Sequence, residues 1–150
     1  MKNLISILLL LPLVACSSTP SKSELDAEVK RLCAIDGGIK VYETVKLPPE
    51  KYNELLDKFG RLRIPRQSEA EVTDEYYDEC DKHYYRQGNP EMSRTHCRII
   101  RRSDGKVLGE LVIYGRGGGD MLGPWHDSSF LCPEPANIPN FESSIFVKGE

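Results

Sequence analysis

No apolar run in these 150 residues reaches the roughly 20 residues that a membrane-spanning helix needs. The chain has one tryptophan and three histidines, and no two histidines stand in H-x-x-x-H spacing. No G-x-S-x-G elbow exposes a serine nucleophile, and no glycine loop ends in Lys-Ser/Thr to cradle a nucleotide phosphate. No C-x-x-C pair marks a zinc site. The acidic run Glu69, Glu71, Asp74, Glu75, Asp78, Glu79, Asp81 lacks the calcium-loop spacing with its glycine. These gaps argue against an enzyme and against a bound metal or cofactor. A net charge of −3 gives no electrostatic reason to expect nucleic acid as a partner. The arginines and lysine that follow the acidic run, Arg94, Arg98, Arg101, Arg102 and Lys106, are expected to face it or solvent.

At the start of the chain, Lys2 precedes an apolar stretch from Leu4 to Val14, interrupted only by Ser6 and Pro12. Its length fits the apolar segment of an export signal, typically about 7–15 residues. The segment closes on Leu13-Val14-Ala15-Cys16, which resembles the lipobox of bacterial lipoprotein precursors. That resemblance implies a signal peptide over residues 1–15, cleavage before Cys16, and lipid on the Cys16 thiol and the new amino terminus. Each buried methylene is worth about 0.8 kcal/mol, so several acyl chains on one residue anchor firmly where one chain anchors weakly. The membrane is thus an expected partner through Cys16. Ser17, where an aspartate would mark inner-membrane retention in enteric-type bacteria, directs the expectation to the outer membrane. Residues 16–23 read as the lipidated cysteine and a polar tether, and 24–150 as one globular domain.

Four cysteines then remain: Cys33, Cys80, Cys97 and Cys132. An even number in a small exported domain argues for two disulfides. The pattern along the chain indicates α+β: a small antiparallel meander sheet with one or two packed helices. Ser21 and Glu24 form a capping box for a helix to about Ala34. Alternation from Ile39 to Leu47 predicts one strand, with Glu43 the polar exception on its apolar face. Pro49, then Tyr52, Leu55, Leu56 and Phe59 at i, i+3, i+4 and i+7, predicts a second helix stopping at Gly60.

Strands follow at about Glu79–Arg86, Arg94–Arg102 and Lys106–Tyr114, with a weak last strand at Ser144–Val147. The turn Ser103-Asp104-Gly105 admits two registers. A three-residue loop with Gly105 left-handed pairs Ile99 with Gly109 and Arg98 with Glu110. It gathers Cys97, Ile99, Val107, Leu111 and Ile113 on one face, with Arg101 as the exception, and His96, Arg98, Arg102, Lys106 and Glu110 on the other. Burial selects that register. A turn centred on Gly88-Asn89 sets Cys80 opposite Cys97, within bridging distance, and Asp81 beside His96. Cys33 and Cys132 pair by elimination.

Between Tyr114 and Pro133 lie Gly115, Gly117, Gly118, Gly119 and Gly123, with Arg116, Asp120, Trp125 and His126 among them. Arg116, Asp120, Trp125 and His126 form a candidate binding loop. His126, Asp127, Ser128 and Ser129 carry the atoms of a catalytic triad, but groups that must converge seldom do so from adjacent loop positions. His83, His96 and His126 are expected at the surface.

Cys33-Ala34-Ile35-Asp36-Gly37-Gly38-Ile39-Lys40-Val41-Tyr42-Glu43-Thr44 resembles a motif of small uncharacterised bacterial lipoproteins. The Arg98–Glu110 hairpin and Gly115–Pro133 resemble the same group. That resemblance carries no catalytic residue over. The expected role is a membrane-tethered, non-catalytic binding or structural domain of the cell envelope, meeting an envelope protein or glycan. The alternatives are a small inhibitor or ligand-binding module, similar in size and anchoring to lysozyme-inhibitor lipoproteins, and behind it a hydrolase.

Overall fold

In this computed structural model residues 19–120, 123 and 128–150 are described. The leader and Cys16 lie outside them, as do Trp125 and His126. The first helix, α1 (Lys22–Asp36), opens on the expected capping box, in which the Ser21 side chain and the Glu24 carboxylate each take the other's backbone N–H. Three long strands form the meander: β3 (Tyr76–Arg86), β4 (Glu91–Arg101) and β5 (Val107–Gly117). Cys80 stands opposite Cys97, Asp81 opposite His96, Arg98 opposite Glu110, and Ile99 opposite Gly109. The architecture is α+β with the two expected disulfides, Cys33–Cys132 and Cys80–Cys97.

The outer edge of β5 is shared end to end by two short strands. β1 (Gly38–Val41) pairs with Gly109 to Val112, and β6 (Ser129–Cys132) pairs with Tyr114 to Gly117. The sequence reading placed no strand in the second of these segments, because its four residues are too few to show a period-two pattern. It also drew one strand from Ile39 to Leu47 where there are two. The chain breaks because the Leu108 carbonyl accepts both the Tyr42 and the Glu43 N–H. After that fork, β2 (Val45–Leu47) leaves the sheet and pairs in parallel with β7 (Phe146–Lys148). The final strand thus starts two residues later than expected, behind a short helix α3 (Phe141–Ile145) capped by Asn140.

The same Leu108 corrects the hairpin tip. Gly105 is left-handed as expected (φ +68°). The Arg101 N–H, however, donates to the Lys106 carbonyl, so the loop is one residue longer than three. The register shift between Ile99 and Ile100 takes up the extra residue, and Leu108, 0% exposed, turns into the core. Glu43 and Arg101, the two exceptions on the apolar face, are paired with each other. The Glu43 carboxylate accepts from Arg101 and, at 2.5 Å, from Lys106.

The second helix is also shorter than its apolar stripe implied: α2 runs Pro49–Glu54, not to Phe59. The Asp57 carboxylate accepts the N–H groups of Phe59 and Arg61, offering the backbone a turn in place of another helical cycle. The chain doubles back there, Leu62 and Ile64 take the core positions, and Phe59 is left 69% exposed beneath Lys58 and Arg61.

Two cores sit on opposite faces of the one sheet. Leu47, Leu62, Ile64, Ile99, Leu108, Ile145 and Phe146 fill one, beneath α2 and α3. Gly109 admits this packing, since a Cβ there would stand 2.7 Å from the Ile145 Cδ1 and 2.9 Å from the Lys40 carbonyl. The other core is Leu25 and Val29 of α1 against Met92, Val112 and Tyr114. Both faces are therefore partly apolar, whereas the alternation had indicated one apolar and one polar face. α1 covers the Met92–Gly117 end of its face and leaves the hairpin end of that face polar. Among the described residues no helix is long and apolar enough to cross a membrane.

Candidate functional site

The glycine-rich segment is rooted on α1 by two ion pairs one helical turn apart. The Arg116 side chain, 2% exposed, donates from Nε and Nη2 to the Asp26 carboxylate at 2.8 and 3.3 Å. Its Nη1 reaches the carbonyls of Gly118 and Ser128, each at 2.8 Å, and the Ser128 hydroxyl at 3.0 Å. Lys22 Nζ lies 2.6 Å from Asp120 Oδ1, while Asp120 Oδ2 accepts the Ser128 N–H. Lys22 first, then Ser128, hold the Asp120 carboxyl well below the usual carboxylate range. Asn89 accepts the Gly119 N–H, and a Cβ on Gly119 would touch Pro90 and Lys22. The helix start, the β3–β4 turn and both ends of the loop thus meet at one end of the molecule.

A second clasp holds the other end of α1. Tyr114 donates its hydroxyl to Asp36 at 2.7 Å, and Arg94 donates to the same carboxylate at 3.1 Å. Burial, then the bond to Asp36, pushes the Tyr114 hydroxyl up to about 12. Burial pushes the Asp36 carboxyl up, but the Tyr114 and Arg94 bonds outweigh it, and the net direction is down. Cys33–Cys132 closes beside this group.

Of the four candidate loop residues, Arg116 and Asp120 are therefore supports whose polar atoms are engaged within the molecule. Trp125 and His126 lie outside the described residues. Beside the supports, Gly88, Asn89, Glu91, Gly117, Ser128 and Ser129 line a groove of about 350 Å³. It offers backbone groups, two hydroxyls, an amide and one carboxylate, a set suited to hydrogen-bonding a neutral, hydroxyl-bearing ligand. The sequence reading named Arg116 and Asp120 but missed their partners. Lys22, Asp26, Val29 and Cys33 recur at i, i+4, i+7 and i+11, and that stripe was the available signal for the face of α1 that meets the loop.

The polar end of the α1 face carries a second cluster. His96 lies between two carboxylates, with Nε2 2.9 Å from Glu110 and Nδ1 3.9 Å from Asp81. Glu110 also accepts the Tyr42 hydroxyl at 2.7 Å and has Lys40 at 3.5 Å. Arg98 reaches Glu79 at 2.8 Å across the strands, so part of the acidic run does face the basic one. With both ring nitrogens facing carboxylates, His96 bridges β4 to the strands on either side. His83 packs edge-on against Tyr85 at the surface of β3.

The Tyr42 hydroxyl, with His96 after it, holds the Glu110 carboxyl below its ordinary value. A carboxylate depressed in the folded state contributes stability above its unfolded value, about 4.3, and loses it as pH falls through the folded value. Urea unfolding at about pH 5 should show the wild type more stable than Glu110→Gln. The gap should close as the pH drops below about 4. A gap unchanged down to pH 3 would show that the Glu110 charge contributes nothing.

Comparison with protein-family models, with curated proteins and with solved structures found no match to this chain.

Proposed function

We propose that this chain is a lipid-anchored envelope protein, a non-catalytic binding or structural domain held on a membrane through Cys16, with the outer membrane as its site. The observation that carries the reading is Leu13-Val14-Ala15-Cys16 closing an apolar leader only five residues before the helix cap Ser21. Five residues can reach no more than about 17–18 Å, roughly half the length of an 11-residue strand. The clasped end of the domain, where α1 begins, is consequently the end nearest the bilayer. The groove beside Ser128 and Ser129, with the loop that carries Trp125 and His126, is the candidate contact surface. Its hydroxyl, amide and carboxylate lining supports an envelope glycan or a polar protein loop as the partner.

The test is metabolic labelling with a fatty-acid analogue in an exporting bacterium. The wild type should be labelled and recovered with the membrane. Cys16→Ser should be unlabelled and released with the other exported proteins. Equal labelling of both, or membrane recovery of the serine variant, would remove the anchor from the account.

A further inference from the structure

The two disulfides stand in different chemical settings. Cys33 and Cys132 are half-buried against the α1 core and tie a helix to β6 across 99 positions of sequence. Cys80–Cys97 spans only 17 positions, between strands already paired along most of their length on both sides of it. Of the four cysteines Cys80 is the exposed one, while Cys33, Cys97 and Cys132 are half-buried.

Beside that sulfur lies a half-buried carboxylate. Asp78 Oδ1 and Oδ2 stand 3.4 and 3.5 Å from Cys80 Sγ. Among the described residues the Asp78 carboxylate has no other hydrogen-bond contact, and a disulfide sulfur has no proton to give. Asp78 is half-buried at the rim of the larger core, and Glu142 of α3 and Arg66 of the crossing segment bear on it. Burial first, and Glu142 second, raise its carboxyl above the usual range, while Arg66 opposes them. In the oxidised protein the neighbouring Cys80 sulfur offers this group no donor. A thiol on Cys80 would supply one.

A groove of about 480 Å³ runs past the bond, with Arg66, Gln67 and Ser68 on one side and Thr95 on the other. It has room for a partner's thiol-bearing side chain, with Arg66 as its cation beside the carboxylates of Asp78 and Glu79, the latter paired with Arg98.

We infer that Cys80–Cys97 is an exchange-active disulfide, reduced by a dithiol protein that docks in this groove, with Asp78 accepting the S–H of the Cys80 thiol that forms. One partner thiolate attacks Cys80 Sγ. The Cys80–Cys97 bond breaks, and its electron pair leaves on Cys97. The partner's second thiolate attacks its own sulfur in the mixed disulfide, and that electron pair leaves on Cys80. The two protons given up by the partner's thiols reach Cys97 and Cys80 through solvent. Two electrons have passed, and the partner departs as a disulfide. A disulfide-bearing oxidant of the same class runs the sequence backwards. The strand pairing that survives on either side lets the domain stay folded in both states. The inference does not depend on the anchor at Cys16.

The probe is dithiothreitol with its oxidised form, mixed in graded ratios with the folded protein. Free thiols are trapped by alkylation and assigned by peptide mapping. Cys80–Cys97 should reach half reduction at a dithiol-to-disulfide ratio about tenfold or more below the one that opens Cys33–Cys132. Asp78→Ala should raise the ratio needed at Cys80–Cys97 by about tenfold, and Asp78→Asn, which keeps an acceptor oxygen, should recover part of that. The order of opening in the wild type decides the matter even if a variant folds poorly. Opening of both bonds together, opening of Cys33–Cys132 first, or an unchanged ratio in folded Asp78→Ala would overturn the inference.

Discussion

Replacing Arg116 by methionine should lower stability by about 3–5 kcal/mol, more than any other single substitution at the clasped end of the domain. The reason is what the arginine leaves behind. Asp26, two main-chain carbonyls and the Ser128 hydroxyl all point at a guanidinium that is 2% exposed. Methionine fills the volume and satisfies none of them. Two carbonyls and a carboxylate would then sit partly desolvated without a donor. The Asp26→Ala/Arg116→Met double variant should be less destabilised than the two single losses added together, because removing both charges spares the unpaired one. Urea unfolding at neutral pH is the measurement. A loss below about 1 kcal/mol for Arg116→Met would mean that the loop detaches from α1 at little cost.

The second large effect is the loss of Cys33–Cys132. Converting both cysteines to alanine should cost about 4–5 kcal/mol, against about 3 for the Cys80/Cys97 pair, because a closure over 99 residues removes more chain entropy from the unfolded state than one over 17. The longer bond also ties α1 to β6, which meets only four residues of β5. Its removal should therefore loosen the glycine-rich segment first. Hydrogen exchange at Ser129 to Cys132 should speed up well before exchange in β4. Equal losses for the two double variants would show that closure length does not set the order.

The meander was legible in the sequence because two independent signals set its pairings. Burial of Ile99 and Leu111 chose the faces of the β4–β5 pair, and the separate turn at Gly88-Asn89 set Cys80 opposite Cys97. Where the reading failed, a local hydrogen bond overrode a longer pattern. The Ile39–Leu47 alternation is real, but one forked carbonyl at Leu108 splits it between two sheets. The α2 stripe is real too, but Asp57 turns the chain before Phe59 can use it. The clasp was half legible. Arg116 and Asp120 stood out among glycines, while Lys22 and Asp26 lie some 90 positions away and read as ordinary solvated helix charges. Asp78 was lost within the acidic run, since nothing in composition separates a half-buried carboxylate from its solvated neighbours.

The central claim is a domain held at Cys16 with its clasped end toward the bilayer. The most direct measurement places a fluorescent side chain at Gln87, beside the Asn89–Pro90 turn, or at Asp104 on the hairpin tip, in lipidated protein reconstituted into vesicles. Both positions are exposed and stand at opposite ends of the strands. With quenchers on the lipid headgroups, the account predicts strong quenching at position 87 and little at position 104. Equal quenching at both, or stronger quenching at 104, would contradict it.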